Sequence, residues 1–143
     1  KNKKIYVYDE FYERGLLNNE IANLIIRKGY KKEVIQADSA SPKDIDELKR
    51  LEIERIRGVK KGPGSILNGI QFLQQYEIII HESCVNTIEE IENYAWTKDK
   101  SGEYINKPVD MFNHLMDALR YAVSSVNSES TKIKILDRRK FGL

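Results

Sequence analysis

Apolar positions recur along the chain with two different periods, and the switching between them predicts its elements. From Lys3 to Tyr12, Ile5, Val7, Asp9 and Phe11 alternate with Tyr6, Tyr8, Glu10 and Tyr12, the period-two pattern of a strand rich in β-formers. From Asn19 to Lys28 the period becomes helical, with Ile21, Leu24, Ile25 and Ile26 on one face and Gly29 suited to the C-cap. Glu33 to Ala37 predicts a short buried strand. Ser41-Pro42 then supply an N-cap and first helical position, with Asp44 near the positive end of a helix running to about Glu52. A strand over Arg55 to Val59 leads into Lys60-Lys61-Gly62-Pro63-Gly64-Ser65 and a helix from Ile66 to Gln75. Glu77 to His81 predicts the next strand, and Asn86-Thr87 cap a helix reaching about Trp96. Lys98 to Lys107, centred on Ser101-Gly102, has the turn chemistry of a solvent-facing hairpin. Asp110 is placed to cap the last helix, whose apolar stripe is Phe112, Leu115, Met116, Leu119, Ala122 and Val123.

Strands alternating with helices predict an α/β fold with parallel pairing and helices on the faces. Such a sheet needs more at its beginning than one opening strand without a hairpin partner. The 143 residues suffice for one domain with a core. With 41% hydrophobic and 32% charged residues and a mean hydropathy of −0.55, the composition is that of an ordinary soluble domain. No apolar run approaches the roughly 20 residues that cross a bilayer, so no membrane partner is expected. The Lys-Asn-Lys-Lys start lacks the apolar stretch of a signal peptide. A single cysteine, Cys84, excludes an internal disulfide and fits a reducing, cytoplasmic setting. Its neighbours Ser83 and Val85 offer it no base, which favours a structural thiol.

The net charge of +2 conceals an asymmetry. Residues 131–143 carry Lys132, Lys134, Arg138, Arg139 and Lys140 against Asp137, which is +4; subtracting this from +2 leaves −2 for the rest. The chain therefore divides into a folded body over 1–126 and a basic tail over 127–143. Any contact with nucleic acid is local rather than spread over the surface.

Two segments carry the candidate chemistry. Asp38 follows Ala37 beyond the carboxyl end of a strand, where open α/β sheets place ligands. A turn aspartate that bonds its own backbone describes the position equally well. His114 and Asp117 lie three apart on the last helix and share a face. Both interrupt an apolar stripe, where a carboxylate is costly unless paired or coordinated. Arg120, three residues on, is the plain structural partner for Asp117, and His114 alone is equally a satisfied core histidine. Carboxylates from a strand end and a helix can converge on a hard cation such as Mg²⁺, which points to a metal site for cutting phosphodiesters. Lys60 and Lys61 precede a glycine-containing loop and a helix N-terminus, a setting suited to phosphate. It is not a P-loop. Lys98, Lys100 and Lys107, with Tyr104, are spaced to form a basic finger for a DNA backbone. For both lysine groups the alternative is a solvated surface. Asp9, on the face of Ile5 and Val7, is a weaker ligand candidate.

Taken together, Ile-Tyr-Val-Tyr-Asp-Glu-Phe-Tyr (5–12), Ala-Asp-Ser-Ala (37–40), Lys-Lys-Gly-Pro-Gly-Ser-Ile (60–66) and His-Leu-Met-Asp-Ala-Leu-Arg-Tyr (114–121) resemble the C-terminal nuclease domain of tailed-phage and prophage terminase large subunits. The resemblance implies an RNase H-like mixed sheet flanked by helices and cleavage of concatemeric double-stranded DNA during genome packaging with Mg²⁺ or Mn²⁺. It also implies an upstream ATPase domain in the same protein, with a small terminase subunit and portal as further partners, in the cytoplasm of a host cell. By motif, Asp38 is the middle catalytic carboxylate and Asp117 the last, both metal ligands, and His114 is the accompanying histidine. The family's first catalytic aspartate lies on a strand preceding the one that starts here at Lys3. The sheet is therefore expected to lack its first strand, and this fragment to cleave poorly alone. A non-catalytic RNase H-like module that binds DNA or docks to packaging proteins is the rival class. Another RNase H-like enzyme, such as a junction resolvase or integrase relative, is the second.

Overall fold

A computed structural model describes residues 3–128; most of the basic tail predicted over 127–143 lies outside them. The order is β1 (Lys4–Val7), α1 (Asn18–Arg27), β2 (Ile35–Ala37), α2 (Pro42–Arg50), β3 (Ile56–Gly58), α3 (Ser65–Leu73), β4 (Glu77–Ile80), α4 (Val85–Asn93), β5 (Trp96–Lys98), β6 (Tyr104–Pro108) and α5 (His114–Ser128). Every element predicted from periodicity is present, with shorter strands.

The chain forms the α/β arrangement expected, divided into two parallel ladders. β1 pairs with β4, matching Ile5 to Ile78 and Val7 to Ile80. β2 pairs with β3, matching Ile35 to Ile56 and Ala37 to Gly58. No hydrogen bonds link the ladders among the described residues. Between them lies a cleft of about 590 Å³ lined by β1 and β2 but by neither β4 nor β3, with Ile25, Leu115 and Leu119 among its apolar walls. β1 and β2 face each other across this cleft with no ladder between them. β5 and β6 make the antiparallel hairpin, with a register irregularity between Trp96 and Lys98.

The core fixes the strand end that carries Asp38. Ala22, Ile45, Leu48, Ile53 and Ile56 are buried together, with Ile25, Ile35 and Ala37 packed against them. Val59 N–H donates to the Ala37 carbonyl at 2.9 Å, closing the β2–β3 ladder one residue before Asp38. Gly58 allows the next turn to pass close by. A Cβ there would lie 3.0 Å from Ser39 Cβ and 3.2 Å from Ile45 Cδ1.

Two helices start where local signals did not place them. α4 begins at Val85, not after an Asn86-Thr87 cap, and α5 begins at His114 rather than near Asp110. In each case a distant carboxylate does the capping. Glu10 accepts from Asn86 N–H at 2.9 Å, Thr87 N–H at 2.7 Å, Thr87 Oγ1 at 2.6 Å and Asn86 Nδ2 at 3.0 Å. Glu90, buried, accepts from Leu115 N–H at 2.6 Å and Met116 N–H at 3.0 Å. Phe112, expected in the α5 stripe, stands before the helix with φ 53°. α4 ends at Asn93, and Trp96 belongs to β5.

Candidate active site

Asp38 projects from the turn after β2, its carboxylate held by Lys61 and Ala40 and its pKa lowered further by the Tyr121 hydroxyl. Its Oδ1 accepts from Ala40 N–H at 2.9 Å, the local turn bond, and from Lys61 Nζ at 2.5 Å. The Lys61 bond, then the Ala40 N–H, hold the Asp38 carboxyl below its ordinary range, and the same contact raises Lys61. The carboxylate stays ionised and half exposed.

Asp117 lies in the first turn of α5, where the helix end favours an anion. Its Oδ1 accepts from Arg120 Nη2 at 2.8 Å, the i,i+3 pair that the spacing allowed. Arg120 is only 8% exposed, and its Nε has no hydrogen-bond partner. Burial first, then the Asp117 charge, raise the nearby Tyr94 phenol.

A ring joins the two pairs. Lys61 Nζ lies 5.5 Å from the centroid of Tyr121, and the Arg120 guanidinium lies 5.1 Å from the same centroid. Asp38, Lys61, Tyr121, Arg120 and Asp117 therefore form one chain of contacts spanning the β2 end, the Lys60–Lys61 loop and α5. Tyr121 belongs to the quoted 114–121 motif but had been given no role. Its position four residues after Asp117, on the same helix face, was the available signal.

His114 is exposed at the start of α5, 6.0 Å between ring centroids from Tyr12. It borders a separate hollow of about 270 Å³ with Glu89, Glu90 and Met111. Among the described residues no three His, Cys, Asp or Glu side chains converge in a way that would hold a metal ion.

Asp9, the weaker candidate, is already engaged. Lys28 Nζ reaches its two carboxylate oxygens at 2.8 and 2.9 Å, and Tyr30 hydroxyl donates at 2.8 Å. Cys84 is buried near the Val7 carbonyl, and burial pushes its thiol up, as suits a structural residue. Lys98, Lys100 and Lys107 are exposed on the hairpin, with Lys98 Nζ 4.9 Å from the Tyr104 centroid. Lys60 and Lys61 are exposed and line a second pocket with Arg57 and Arg120. Sequence patterning had not singled out Arg57, which alternates on a short strand like any surface arginine. No described helix is long and apolar enough to cross a membrane.

Comparison with known proteins agrees with this fold. Residues 1–125 match the family described as the terminase RNase H-like domain. The terminase large subunit of Bacillus phage SPP1 is 36% identical over 126 residues, covering 85% of this chain and 30% of that protein. The PBSX phage terminase large subunit of Bacillus subtilis (strain 168) is 30% identical over 124 residues, covering 86% and 28%. The chain thus spans under a third of the length of these relatives. The crystal structure of the nuclease domain of the SPP1 large terminase, with bound Mn, superposes with a TM-score of 0.82 at 34% identity, over 87% of this chain and 72% of that one. The chain belongs to the terminase RNase H-like domain family.

Proposed function

We propose that this chain is the nuclease domain of a phage or prophage terminase large subunit, a Mg²⁺- or Mn²⁺-dependent endonuclease that cuts concatemeric double-stranded DNA during genome packaging. The observation that carries the reading is the 34% identical, Mn-bound nuclease domain that shares this fold. Asp38 and Asp117 would hold the metal; His114, which the family resemblance pairs with them, borders a separate hollow and would act only if the first turn of α5 shifted. The donor set fits. Both groups are oxygen ligands and Asp38 is held ionised, the donor chemistry a hard cation takes; Lys61 and Arg120, which now pair with them, would have to yield to the metal. A divalent cation bound there supplies Lewis-acid activation of water and of the scissile phosphate.

The chain's own residues do the rest. Lys61 and Arg120 keep the two carboxylates neutralised in the absence of another cation. Lys60 and Lys61, with Lys98, Lys100 and Lys107 on the hairpin, contact the DNA backbone without reading sequence. An upstream ATPase domain, a small terminase subunit and a portal are the proposed partners, in host cytoplasm. One observation favours a second reading: both carboxylates are already salt-linked, which suits a module that binds DNA without cutting it.

Plasmid nicking by the full-length parent with Mn²⁺ separates the two. Asp38→Asn and Asp117→Asn parents are each expected to lose nearly all cleavage while still binding DNA. Variants that nick at the normal rate would refute the catalytic assignment.

A further inference from the structure

The second pocket, about 410 Å³, lies between β3, α3 and α5. Four cations line it, Arg57, Lys60, Lys61 and Arg120, and no carboxylate does. Lys61 and Arg120 spend part of their charge on Asp38 and Asp117, which stand outside the lining. Among the described residues no carboxylate pairs with Arg57 or Lys60. The Gln36 side-chain amide lies 3.0 Å from both Nε and Nη2 of Arg57; turned so that its oxygen faces them, it is a neutral acceptor that aims the guanidinium without neutralising it.

The buried wall is unsatisfied in the same sense. Arg120 is fixed against Gly69 of α3, where a Cβ would stand 2.5 Å from its Cγ. It is more than nine-tenths buried, gives one hydrogen bond to Asp117, and leaves Nε without an acceptor. A guanidinium has five N–H donors in a fork matched to phosphate oxygens. The remaining lining suits a nucleoside beside that phosphate. Ser65 and Asn68 supply polar neutral groups from the first turn of α3, while Phe72 and Tyr121 supply rings. The volume falls within the range of small-ligand pockets and exceeds what a lone phosphate fills.

We propose that this pocket seats one backbone phosphate of a DNA strand together with its adjoining nucleoside, with Arg57 and Lys60 as the direct phosphate ligands and Arg120 as the buried wall. The proposal rests on the DNA-cutting reading above and adds to it the place where the strand is gripped. Arg57, which the sequence did not mark, becomes a DNA-binding residue. Lys61 borders both the seat and Asp38, so a strand held there passes beside the candidate metal ligands.

The test is fluorescence anisotropy of a labelled DNA duplex with the 143-residue chain over a series of salt concentrations. Arg57→Gln/Lys60→Gln is compared with the wild-type chain. Both residues are exposed, and thermal unfolding checks that the variant is folded. The pocket variant is expected to bind about tenfold more weakly, with the log–log salt slope reduced by roughly one unit for the lost phosphate contact. A folded pocket variant with wild-type affinity and slope would overturn the seat and leave the nuclease reading standing. Wild-type chain that fails to bind duplex even at low salt would overturn both. A parallel amide-shift titration uses inorganic phosphate and the duplex separately. Shifts at Ser65 and Asn68 with inorganic phosphate alone would overturn the assignment to a DNA strand.

Discussion

Arg120 is the residue at which stability and chemistry meet. Its guanidinium is buried, while its counterion Asp117 keeps 34% of its side chain in water. Asp117→Asn is expected to cost about 1–2 kcal/mol, below the 3–5 kcal/mol of a fully buried pair, because solvent already screens the carboxylate. Arg120→Met, which keeps volume and removes the charge, is expected to cost less than Arg120→Ala. Urea unfolding of the three variants measures both orders. Glu10 gives a pH prediction. Burial alone would raise its pKa, but the hydrogen bonds from Thr87 and Asn86 outweigh it and set the folded value below 4.5. The lowered value means that the ionised form is the one stabilised by folding. Its contribution is full above 4.5 and is lost as pH falls through the folded value. Glu10→Gln is therefore expected to be less stable at neutral pH and to lose less stability on acidification. Thermal unfolding from neutral pH to below 4.5 checks this.

At the scale of elements, α3 and α5 are set by a glycine. Replacing a mid-helix glycine by alanine normally gains about 0.5–1 kcal/mol. Gly69→Ala is expected to lower the melting temperature instead, because the new Cβ meets Arg120 at Cγ and Cδ, near its stem. A rise in melting temperature would mean that Arg120 moves aside freely. The same scale shows what the residue pattern could carry. Ile5 and Val7, Ile21 to Ile26, and Ser41-Pro42 marked their elements correctly, because period and turn chemistry are local. The starts of α4 and α5 were not legible, since their caps come from Glu10 and Glu90, some 76 and 25 residues away. Asp38 could be marked from its place beyond a strand's carboxyl end, and Asp117 from its spacing to His114 and the cost of a carboxylate in an apolar stripe. Their connection through Lys61, Tyr121 and Arg120 could not, because it depends on how α5 packs against β2. The facing edges of β1 and β2 were also invisible to periodicity. Unpaired strand edges favour association, so this chain is expected to show a solution mass that rises with concentration, measured by sedimentation.

For the whole molecule, the two ladders, α5 and the Lys60–Lys61 loop bring two carboxylates, two cations and a ring into one patch beside a basic pocket. The pairs Asp38–Lys61 and Asp117–Arg120 give that patch a balanced charge, and on the proposed reading a divalent cation there would compete with lysine and arginine for the same oxygens. Lys61→Ala is therefore expected to raise Mn²⁺ affinity severalfold in calorimetry, since it removes a tethered rival cation from Asp38. Unchanged affinity would separate Lys61 from the metal site. Whether Asp38 and Asp117 jointly form a divalent-cation site is tested most directly by paramagnetic broadening of backbone amide signals with substoichiometric Mn²⁺. Amides of Asp38–Ala40 and of Asp117–Tyr121 are expected to broaden first and together, and Asp38→Asn or Asp117→Asn to abolish both effects. Broadening confined to other carboxylates such as Asp9 or Asp99, or at only one of the two segments, would contradict a joint site.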